Sequence, residues 1–146
     1  MIRIEPFEPY GQAFEELRAE AALENYRFIE TLRRRWDDDS DRYAKAGEVF
    51  LSAQDNGVLM AVGGLNRDPY LNDGTGRVRH VYVRPPYRGK GIGKILVVEL
   101  IERAKGSFPS LRLRAADADA AAFYDALGFD RVTEPTATHR MTFSAA

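Results

Sequence analysis

The chain has 146 residues, a length that suits one hydrophobic core, so we expect a single domain over residues 1–146. Its 45% hydrophobic and 29% charged residues are typical of a globular protein, and a net charge of -1 gives no bulk attraction to nucleic acid. Because cysteine is absent, disulfides, thiolate metal sites and a cysteine nucleophile are excluded, and the two distant histidines argue against a histidine metal site. The N-terminus lacks a secretory leader pattern, and the longest apolar run, at 58–62, is too short to span a bilayer. We therefore expect a cytoplasmic protein with no metal and no membrane or nucleic acid partner.

The first half of the chain predicts a short strand, two helices and a β-hairpin. The strand ends at Pro6, because proline cannot donate to a strand ladder. Over residues 11–36, two slightly shifted apolar stripes at helical spacing indicate two helices or one bent helix. Two β-type runs, 48–53 and 58–65, are joined through an Asp-Asn-Gly sequence at 55–57, and Asn-Gly is typical of tight hairpins because both residues tolerate positive φ.

The second half of the chain alternates strands and helices. After a polar loop at 66–76, the pattern predicts strands at 77–84, 111–113, 129–132 and 139–143 and helices at 91–105 and 118–127, with Gly128 as the C′ residue of the last helix. The helix at 91–105 connects two of these strands as a crossover, which implies one parallel pair in an otherwise antiparallel sheet. The predicted fold class is therefore α/β (α+β), with a mixed, mostly antiparallel sheet of about seven strands and about four helices.

The most informative feature of the sequence is a strand that runs directly into a basic, glycine-rich turn and a helix. Two prolines at 85–86 end the strand, and glycines follow at alternate positions, Gly89, Gly91 and Gly93. Their exposed N–H groups would lie at a helix N-terminus, where the helix dipole favours an anion. Three basic side chains add positive charge: Arg88, Lys90 and Lys94. The segment 88–94 therefore predicts a socket for a phosphate or pyrophosphate.

Two common nucleotide-binding motifs fit this turn poorly. A P-loop requires Ser or Thr after its Gly-Lys pair, whereas Ile95 follows that pair here. A dinucleotide fingerprint requires glycine at its sixth position, which is Lys94 when the motif starts at Gly89. That fingerprint also normally opens a domain, whereas this turn lies past the middle of the chain.

The pattern Arg88-x-x-Gly91-x-Gly93 resembles the signature of the GNAT superfamily of acyl-CoA-dependent N-acetyltransferases. The resemblance covers the whole chain in element order and is most specific in two segments, 81–96 and 122–129. It implies a GNAT-like sheet in which the parallel strands splay apart around acetyl-CoA. It also implies direct attack of an amine on the thioester, so acetyl-CoA and an amine acceptor are the expected partners.

The resemblance assigns roles to residues that match the family pattern. A backbone amide near Val83 would bind the oxyanion, and Tyr124 would be the general acid that protonates the departing sulfur. Tyr124 could instead be a packed aromatic residue whose hydroxyl is satisfied. The strand would hold the pantetheine arm, and the 88–94 socket would hold the pyrophosphate. The implied coenzyme A contacts are Val81, Tyr82, Val83, Arg88, Gly89, Lys90, Gly91, Ile92, Gly93, Lys94 and Asp117.

The sequence departs from the family where many members place a glutamate that serves as the base. By spacing from Arg88 that position is Arg77, and arginine cannot act as a base. His80 has a suitable intrinsic pKa, but strand alternation puts it on the opposite face from Arg77 unless a bulge intervenes. Glu48 on the neighbouring hairpin, or a water that relays the proton to bulk solvent, are the alternatives.

Other polar residues have two interpretations each. Asp117 stands where the family commonly has an asparagine that contacts coenzyme A, but it also suits the N-cap of the 118–127 helix. His139 lies in a predicted terminal strand that could border the acceptor site. The loop 66–76 and the helical residues 33–36 are expected to form the walls of the site that binds the amine acceptor. The acidic groups of the loop would suit a cationic amine, whereas the arginines of the helix would suit an acceptor with a carboxylate.

The sequence thus predicts an N-acetyltransferase that moves an acetyl group from acetyl-CoA to a primary amine of a small molecule or protein. A non-catalytic acyl-CoA-binding regulatory module is the main alternative, and its only support is the missing glutamate at Arg77. A nucleotide-binding protein that uses the same loop is a weaker alternative. The edge strands of the sheet could also pair two copies into a homodimer.

Overall fold

Seven strands and four helices make up the part of the chain that the structure, a computed structural model, describes, which is residues 1–143. The strands are β1 (Ile2–Pro6), β2 (Val49–Asp55), β3 (Val58–Arg67), β4 (Gly76–Val83), β5 (Ser110–Leu113), β6 (Asp130–Glu134) and β7 (Ala137–Thr142). The helices are α1 (Gln12–Leu23), α2 (Phe28–Asp37), α3 (Ile92–Lys105) and α4 (Ala118–Ala126). A short 3₁₀ turn over Pro85–Tyr87 separates β4 from the glycine-rich turn that precedes α3.

The strands form one mixed sheet in the order β1-β2-β3-β4-β5-β7-β6. Only β4 and β5 are parallel neighbours among the described strands, and the other pairs are antiparallel, which confirms the predicted sheet and its helical crossover. The β2–β3 hairpin turns at Asn56 and Gly57, both at positive φ, as the Asn-Gly sequence predicts. Because β3 continues to Arg67 and β4 begins at Gly76, the polar loop between them spans 68–75 rather than the predicted 66–76.

Helices cover both faces of the sheet. On one face α3 and α4 contribute Leu100 and Tyr124 to a buried apolar cluster. On the other face α1 and α2 contribute Phe14 and Leu32 to a second cluster, and the two helices are separate, with Asn25 at a φ of 63° in the connection. Full burial of each such leucine stabilises the fold by roughly 1.5–3 kcal/mol, so both helix layers are held to the sheet mainly by apolar packing.

The parallel pair is short because its strands diverge. β4 and β5 pair only at Gly76 with Leu111 and at Arg77 with Arg112, although β4 continues to Val83. Beyond Arg77, therefore, the edge of β4 that faces β5 has no strand partner within residues 1–143. The resulting gap opens at the carboxyl ends of two parallel strands, which is where open sheets of this kind bind ligands.

A β-bulge in β4 borders this gap. The register of β3 against β4 shifts between Val62 and Gly64, and β4 contains an extra residue at His80, whose φ is 59°. The sequence predicts His80 and Arg77 on opposite faces of the sheet unless a bulge intervenes. The bulge puts them on the same face. On that face His80 packs against Phe28 of α2. A bulge bends its strand and increases the local twist, so this one favours the separation of the second half of β4 from β5.

A buried tyrosine holds the bulge in place. The hydroxyl of Tyr43 is hydrogen-bonded to Nδ1 of His80, and Tyr43 is only 5% exposed. Its ring lies against Gly64 of β3, so close that a Cβ at that position would clash with the ring. Gly64 therefore allows the segment between α2 and β2 to pack directly onto the sheet.

Candidate active site

A cavity of about 640 Å³ occupies the gap between β4 and β5. Its walls come from β4, the end of β5 and the turn after it, α4, and the α1–α2 connection with the start of α2. Six of the side chains that line it are Tyr26, His80, Val83, Arg88, Asp117 and Tyr124. The cavity also reaches Gly93 of α3, so it is continuous with the glycine-rich turn.

The 88–94 turn has the free backbone donors that an anion site needs. None of the N–H groups from Gly89 to Lys94 donates a hydrogen bond within residues 1–143. Gly91 is the N-cap of α3, at a φ of 78°, and no side chain caps the helix. The space beside Gly89 and Gly91 is open, since a Cβ at either position would meet no atom within 4 Å. An uncapped helix N-terminus with accessible amides suits a phosphate group.

Positive charge is distributed unevenly around this turn. Lys90 and Lys94 form no salt bridge with any carboxylate of residues 1–143. Arg88 instead binds the carboxylate of Glu24, which follows α1, through hydrogen bonds of 2.7 and 2.6 Å, and it donates its Nε to the carbonyl of Val83 at 2.9 Å. The hydrogen bond from Arg88 lowers the pKa of Glu24. Arg88 therefore joins the turn to the α1–α2 layer, and its charge is balanced by Glu24.

Tyr124 of α4 lines the cavity on the side opposite the α1–α2 connection. Its side chain is largely buried, yet its hydroxyl has no hydrogen-bond partner within residues 1–143. Burial raises the pKa of the Tyr124 phenol above its usual value, so the group is protonated at neutral pH. The hydroxyl is therefore free to donate a hydrogen bond or a proton to a ligand in the cavity.

Asp117 links α4 to the opposite wall of the cavity. Its Oδ1 accepts the N–H of Ala120 at 2.8 Å, so it is the N-cap of α4, as one of its two interpretations predicts. Its Oδ2 accepts the hydroxyl of Tyr26 at 3.1 Å, which bridges the gap between the two walls. A contact of Asp117 with coenzyme A stays a prediction.

The candidates for a general base on β4 lie in unsuitable surroundings. Arg77 donates to the buried carboxylate of Asp68 at 3.2 Å and to the carbonyl of Thr136 at 2.7 Å, so it belongs to a buried ion-pair network. His80 is buried, and this burial, with a smaller effect of nearby Arg79, lowers its pKa to about 3. A histidine with so low a pKa is a weak base at neutral pH.

A second cavity, of about 860 Å³, adjoins the first at Arg79. The segment 39–48 and the loop 68–75 form most of its walls, so the loop that the sequence predicts as an acceptor wall lines this cavity. Glu48 lies here and not on the wall of the first cavity. Its carboxylate accepts the backbone N–H groups of Lys45 and Arg67, at 3.0 and 2.9 Å.

Other residues that the sequence predicts as functional candidates are buried away from the first cavity. Trp36 is buried in the core beneath α2, and of residues 33–36 only Arg35 lines either cavity. His139 is buried behind Tyr124, outside the first cavity, and its Nε2 lies 2.9 Å from Oδ1 of Asp125. These positions leave His139 and Trp36 away from the gap between the parallel strands.

Sequence reasoning missed the part that the α1–α2 connection takes in the site. Glu24 and Tyr26 reach Arg88 and Asp117, which lie 64 and 91 residues further along the chain. A glutamate and a tyrosine between two helices have no spacing signal of their own, so only the fold brings these residues to the cavity.

Within residues 1–143, no group of three His, Cys, Asp or Glu side chains is placed to hold a metal ion. In the same part of the chain, no helix has both the length and the apolar character needed to cross a membrane.

The chain belongs to the acetyltransferase (GNAT) family, whose model matches residues 12–129. It is 32% identical over 83 residues to the N-alpha-acetyltransferase RimI of Mycobacterium tuberculosis, a match that covers 57% of this chain and 52% of that protein. The match therefore spans about half the length of that curated relative. Family membership agrees with the signature at 88–94.

Solved structures with the same fold agree with membership of the GNAT family. A provisionally assigned acetyltransferase of Exiguobacterium sp. 255-15 superposes with a TM-score of 0.86 at 29% identity, over 97% of this chain and 93% of that one. The PaiA N-acetyltransferase of Thermoplasma acidophilum, solved in complex with coenzyme A, superposes with a TM-score of 0.73 over 98% of this chain and 99% of that one. At 18% identity the second likeness shows the fold alone.

Proposed function

We propose that this protein transfers an acetyl group from acetyl-CoA to a primary amine. The observation that carries the proposal is the row of unpaired N–H groups from Gly89 to Lys94, beside a cavity between diverging parallel strands. Membership of the GNAT family supports acetyl-CoA as the acetyl donor. Its diphosphate suits these amides, and the open space at Gly89 and Gly91 leaves room for it.

In this proposal the chain holds acetyl-CoA along β4 and the turn that follows. The amides from Gly89 to Lys94 would bind the diphosphate, and the unpaired edge of β4 at Val81 and Val83 would hydrogen-bond the pantetheine arm. Tyr82 and Arg88 would act indirectly, because their side chains bind the α1–α2 connection and so hold the turn in place.

Acetyl-CoA supplies an acetyl thioester, whose C–S bond breaks as a C–N bond forms to the amine. Tyr124 holds the proton that the departing sulfur needs, because its buried phenol stays protonated at neutral pH. A backbone amide near Val83 would donate a hydrogen bond to the oxygen on which negative charge develops.

The proposal assigns no side chain as the base for the amine. Arg79 lines the cavity and has no carboxylate partner within residues 1–143. Because a nearby cation disfavours a second positive charge, an amine beside Arg79 would favour its neutral, nucleophilic form. Once the C–N bond has formed, the nitrogen would lose its excess proton to water, and Tyr124, having protonated the sulfur, would regain a proton from water. A cytoplasmic location and a homodimer stay predictions.

Release of free thiol from acetyl-CoA, measured against a panel of amines, tests the proposal. The panel contains polyamines, amino acids, aminoglycosides and peptides with free N-termini. We expect release that depends on the amine for at least one class. Calorimetric binding of acetyl-CoA without any release would favour the non-catalytic module instead. An increase in melting temperature with ATP or NAD but not with acetyl-CoA would contradict both the acetyltransferase and the acyl-CoA-binding module.

A further inference from the structure

Positive charge dominates the lining of the second cavity. Four cationic side chains that line it form no salt bridge with any carboxylate of residues 1–143: Arg35, Lys45, Arg67 and Arg79. A fifth, Arg42, pairs with Asp39 at 3.1 Å. Because only two carboxylates of the lining are likewise without a salt bridge in this part of the chain, the cavity has an excess of positive charge, which attracts anions.

The two carboxylates in question, Asp41 and Glu48, are engaged by donors of the protein. Asp41 accepts the backbone N–H of Tyr43 at 3.1 Å, and Glu48 accepts two backbone N–H groups at 3.0 and 2.9 Å. The side-chain amide of Asn66 donates to both carboxylates, at 3.3 and 3.2 Å, and its Oδ1 is left without a partner within residues 1–143. Asn66 is only 2% exposed, so this oxygen is out of reach of a ligand. These hydrogen bonds hold the segment 39–48 on β3 and give the two carboxylates a structural role.

Two of the unpaired cations, Arg35 and Arg79, are half-buried, whereas the others are exposed. No side-chain nitrogen of either arginine donates a hydrogen bond within residues 1–143. Both lie within electrostatic reach of His80, because their charges add to the larger effect of burial in lowering its pKa to about 3. A guanidinium presents its N–H donors in a planar fork that matches the oxygens of a carboxylate or a phosphate. Two such forks without an acceptor, beside one cavity, suit an anionic group of a ligand.

The end of α2 explains only part of this arrangement. Arg34 and Arg35 both lie in the last turn of α2, where the helix dipole favours cations. Arg34 is exposed and lines neither cavity, whereas Arg35 lines the second. The dipole therefore accounts for a basic last turn, but not for the place of Arg35 in the cavity or for Arg79, which lies in a strand.

The second cavity adjoins the candidate active site at Arg79, which lines both cavities. A ligand whose anionic group binds Arg35 and Arg79 can therefore extend into the first cavity, where Tyr124 lies. A single negative charge neutralises only one of the two guanidiniums. An amino group at the other end of the ligand would still meet net positive charge, which favours its neutral, nucleophilic form.

We infer that Arg35 and Arg79 bind an anionic group, a carboxylate or a phosphate, of the amine that accepts the acetyl group. The amino group of this acceptor would reach past Arg79 into the first cavity. The inference rests on the proposed acetyltransferase function and names its acceptor class, an amine with an anionic group at its other end. Of the two kinds of acceptor that the sequence left open, the lining thus favours the negatively charged one.

Acceptors matched in shape test the inference on the full chain. Thiol release is measured with amino acids whose amine and carboxylate are about one to five carbons apart, with aminoalkyl phosphates of these lengths, with the uncharged amide of each amino acid and with alkane diamines. We expect kcat/KM for at least one anionic acceptor to exceed that of the amide of the same length by about tenfold or more, as expected for one charge-assisted hydrogen bond. The class with the larger gain identifies the anionic group. Equal values at every length, or a preference for the diamines, would overturn the inference.

Variants of the two arginines locate the preference. Arg35→Gln removes one charge and its planar fork, and it should reduce the ratio of anionic to neutral kcat/KM by about fivefold or more. Arg34→Gln makes the same change one residue earlier, outside both cavities, and should keep the wild-type ratio. Arg79→Gln should also reduce the ratio, because its effect on the ionisation of the amine applies to charged and neutral acceptors alike. Should Arg35→Gln fail to fold, as judged by circular dichroism, Arg79→Gln decides. An unchanged ratio in the folded variants would overturn the inference.

Anions without an amino group separate this inference from the proposed function. Butyrate and ethyl phosphate are titrated into the protein without acetyl-CoA, and the Nε–H signals of the arginines are followed by NMR. The signals of Arg35 and Arg79, assigned by their loss in the variants, should shift, and that of Arg34 should not. Such shifts with no turnover of any amine would support the anion site and contradict the acetyltransferase proposal. Turnover of neutral amines, with neither these shifts nor a preference for anionic acceptors, would overturn the anion site and leave the proposed function intact. Absence of both shifts and turnover would overturn both.

Discussion

Glu24 binds both terminal nitrogens of Arg88, at 2.7 and 2.6 Å. The same carboxylate accepts the hydroxyl of Tyr82, so one acidic side chain at the end of α1 holds both β4 and the turn that follows it. In the proposed mode of binding, Arg88 is thus a positioning residue, and the phosphate contacts fall to backbone amides and to the two lysines of the turn.

The contact between Glu24 and Arg88 should depend on pH. The pKa of Glu24 is lowered chiefly by its hydrogen bond with Arg88. A carboxyl whose pKa is lower in the folded than in the unfolded protein stabilises the fold at pH values above its unfolded pKa. That stabilisation is lost as the pH falls through the pKa of the folded protein. We expect Glu24→Gln to melt below the wild type at neutral pH, with the difference shrinking below about pH 4. Thermal melts of both proteins over this range measure it. If the two melting temperatures differ by the same amount down to acid pH, the ionised Glu24 does not stabilise the fold through Arg88.

Replacing Tyr124 tests its part in the chemistry. Tyr124→Phe removes a hydroxyl that no protein group binds within residues 1–143, so the fold should be unaffected. Loss of a general acid should lower kcat by about 100-fold or more and leave the affinity for coenzyme A nearly unchanged. Tyr10→Phe, which removes an exposed hydroxyl bound to Asp37, is the control and should keep wild-type kcat. Wild-type kcat and an unaltered pH–rate profile in Tyr124→Phe would remove this residue from the mechanism.

Two glycines in the same backbone conformation allow a matched test of the anion socket. Gly91 and Gly57 have φ values of 78° and 79°, and at both positions a Cβ would meet no neighbour within 4 Å. Aspartate at either position should therefore cost a similar, modest stability of about 1–2 kcal/mol. Gly91→Asp should abolish coenzyme A binding, because it places a carboxylate where the diphosphate is expected, whereas Gly57→Asp should bind normally. Calorimetry gives both affinities, and normal binding by Gly91→Asp would count against the socket.

The packing of Tyr43 on Gly64 predicts a loss of stability. A methyl group at Gly64 would clash with the Tyr43 ring, so Gly64→Ala should displace Tyr43 from His80 and lower the free energy of unfolding by about 1–3 kcal/mol. Gly106→Ala is the control, since Gly106 has a helical φ of -82° and no close neighbour, and it should be neutral or slightly stabilising. Urea unfolding measures both. Equal stabilities of the two variants would show that this contact is unimportant.

The sequence predicted those features that depend on local rules. The Asn-Gly hairpin, the N-cap at Asp117 and the C′ residue Gly128, at a φ of 98°, follow from the backbone preferences of single residues. The parallel pair follows from connectivity, because a strand, a helix and a strand in succession form a crossover. The turn before α3 was predicted from the alternate positions of Gly89, Gly91 and Gly93.

What the sequence did not predict depends on contacts between distant residues. The bulge at His80 requires positive φ at a residue that seldom adopts it, and Tyr43, 37 residues earlier in the chain, holds it there. The salt bridge of Glu24 with Arg88 and the unpaired oxygen of Asn66 likewise appear only once the helices lie on the sheet.

Amide NMR during a titration with coenzyme A tests the central claim, that the backbone from Gly89 to Lys94 binds its diphosphate. Hydrogen bonds to phosphate should shift these amide protons downfield and slow their exchange with solvent, with the largest changes at Gly89, Gly91 and Gly93. If calorimetry shows the protein saturated with coenzyme A while these amides keep the shifts and exchange rates of the free protein, the claim is contradicted.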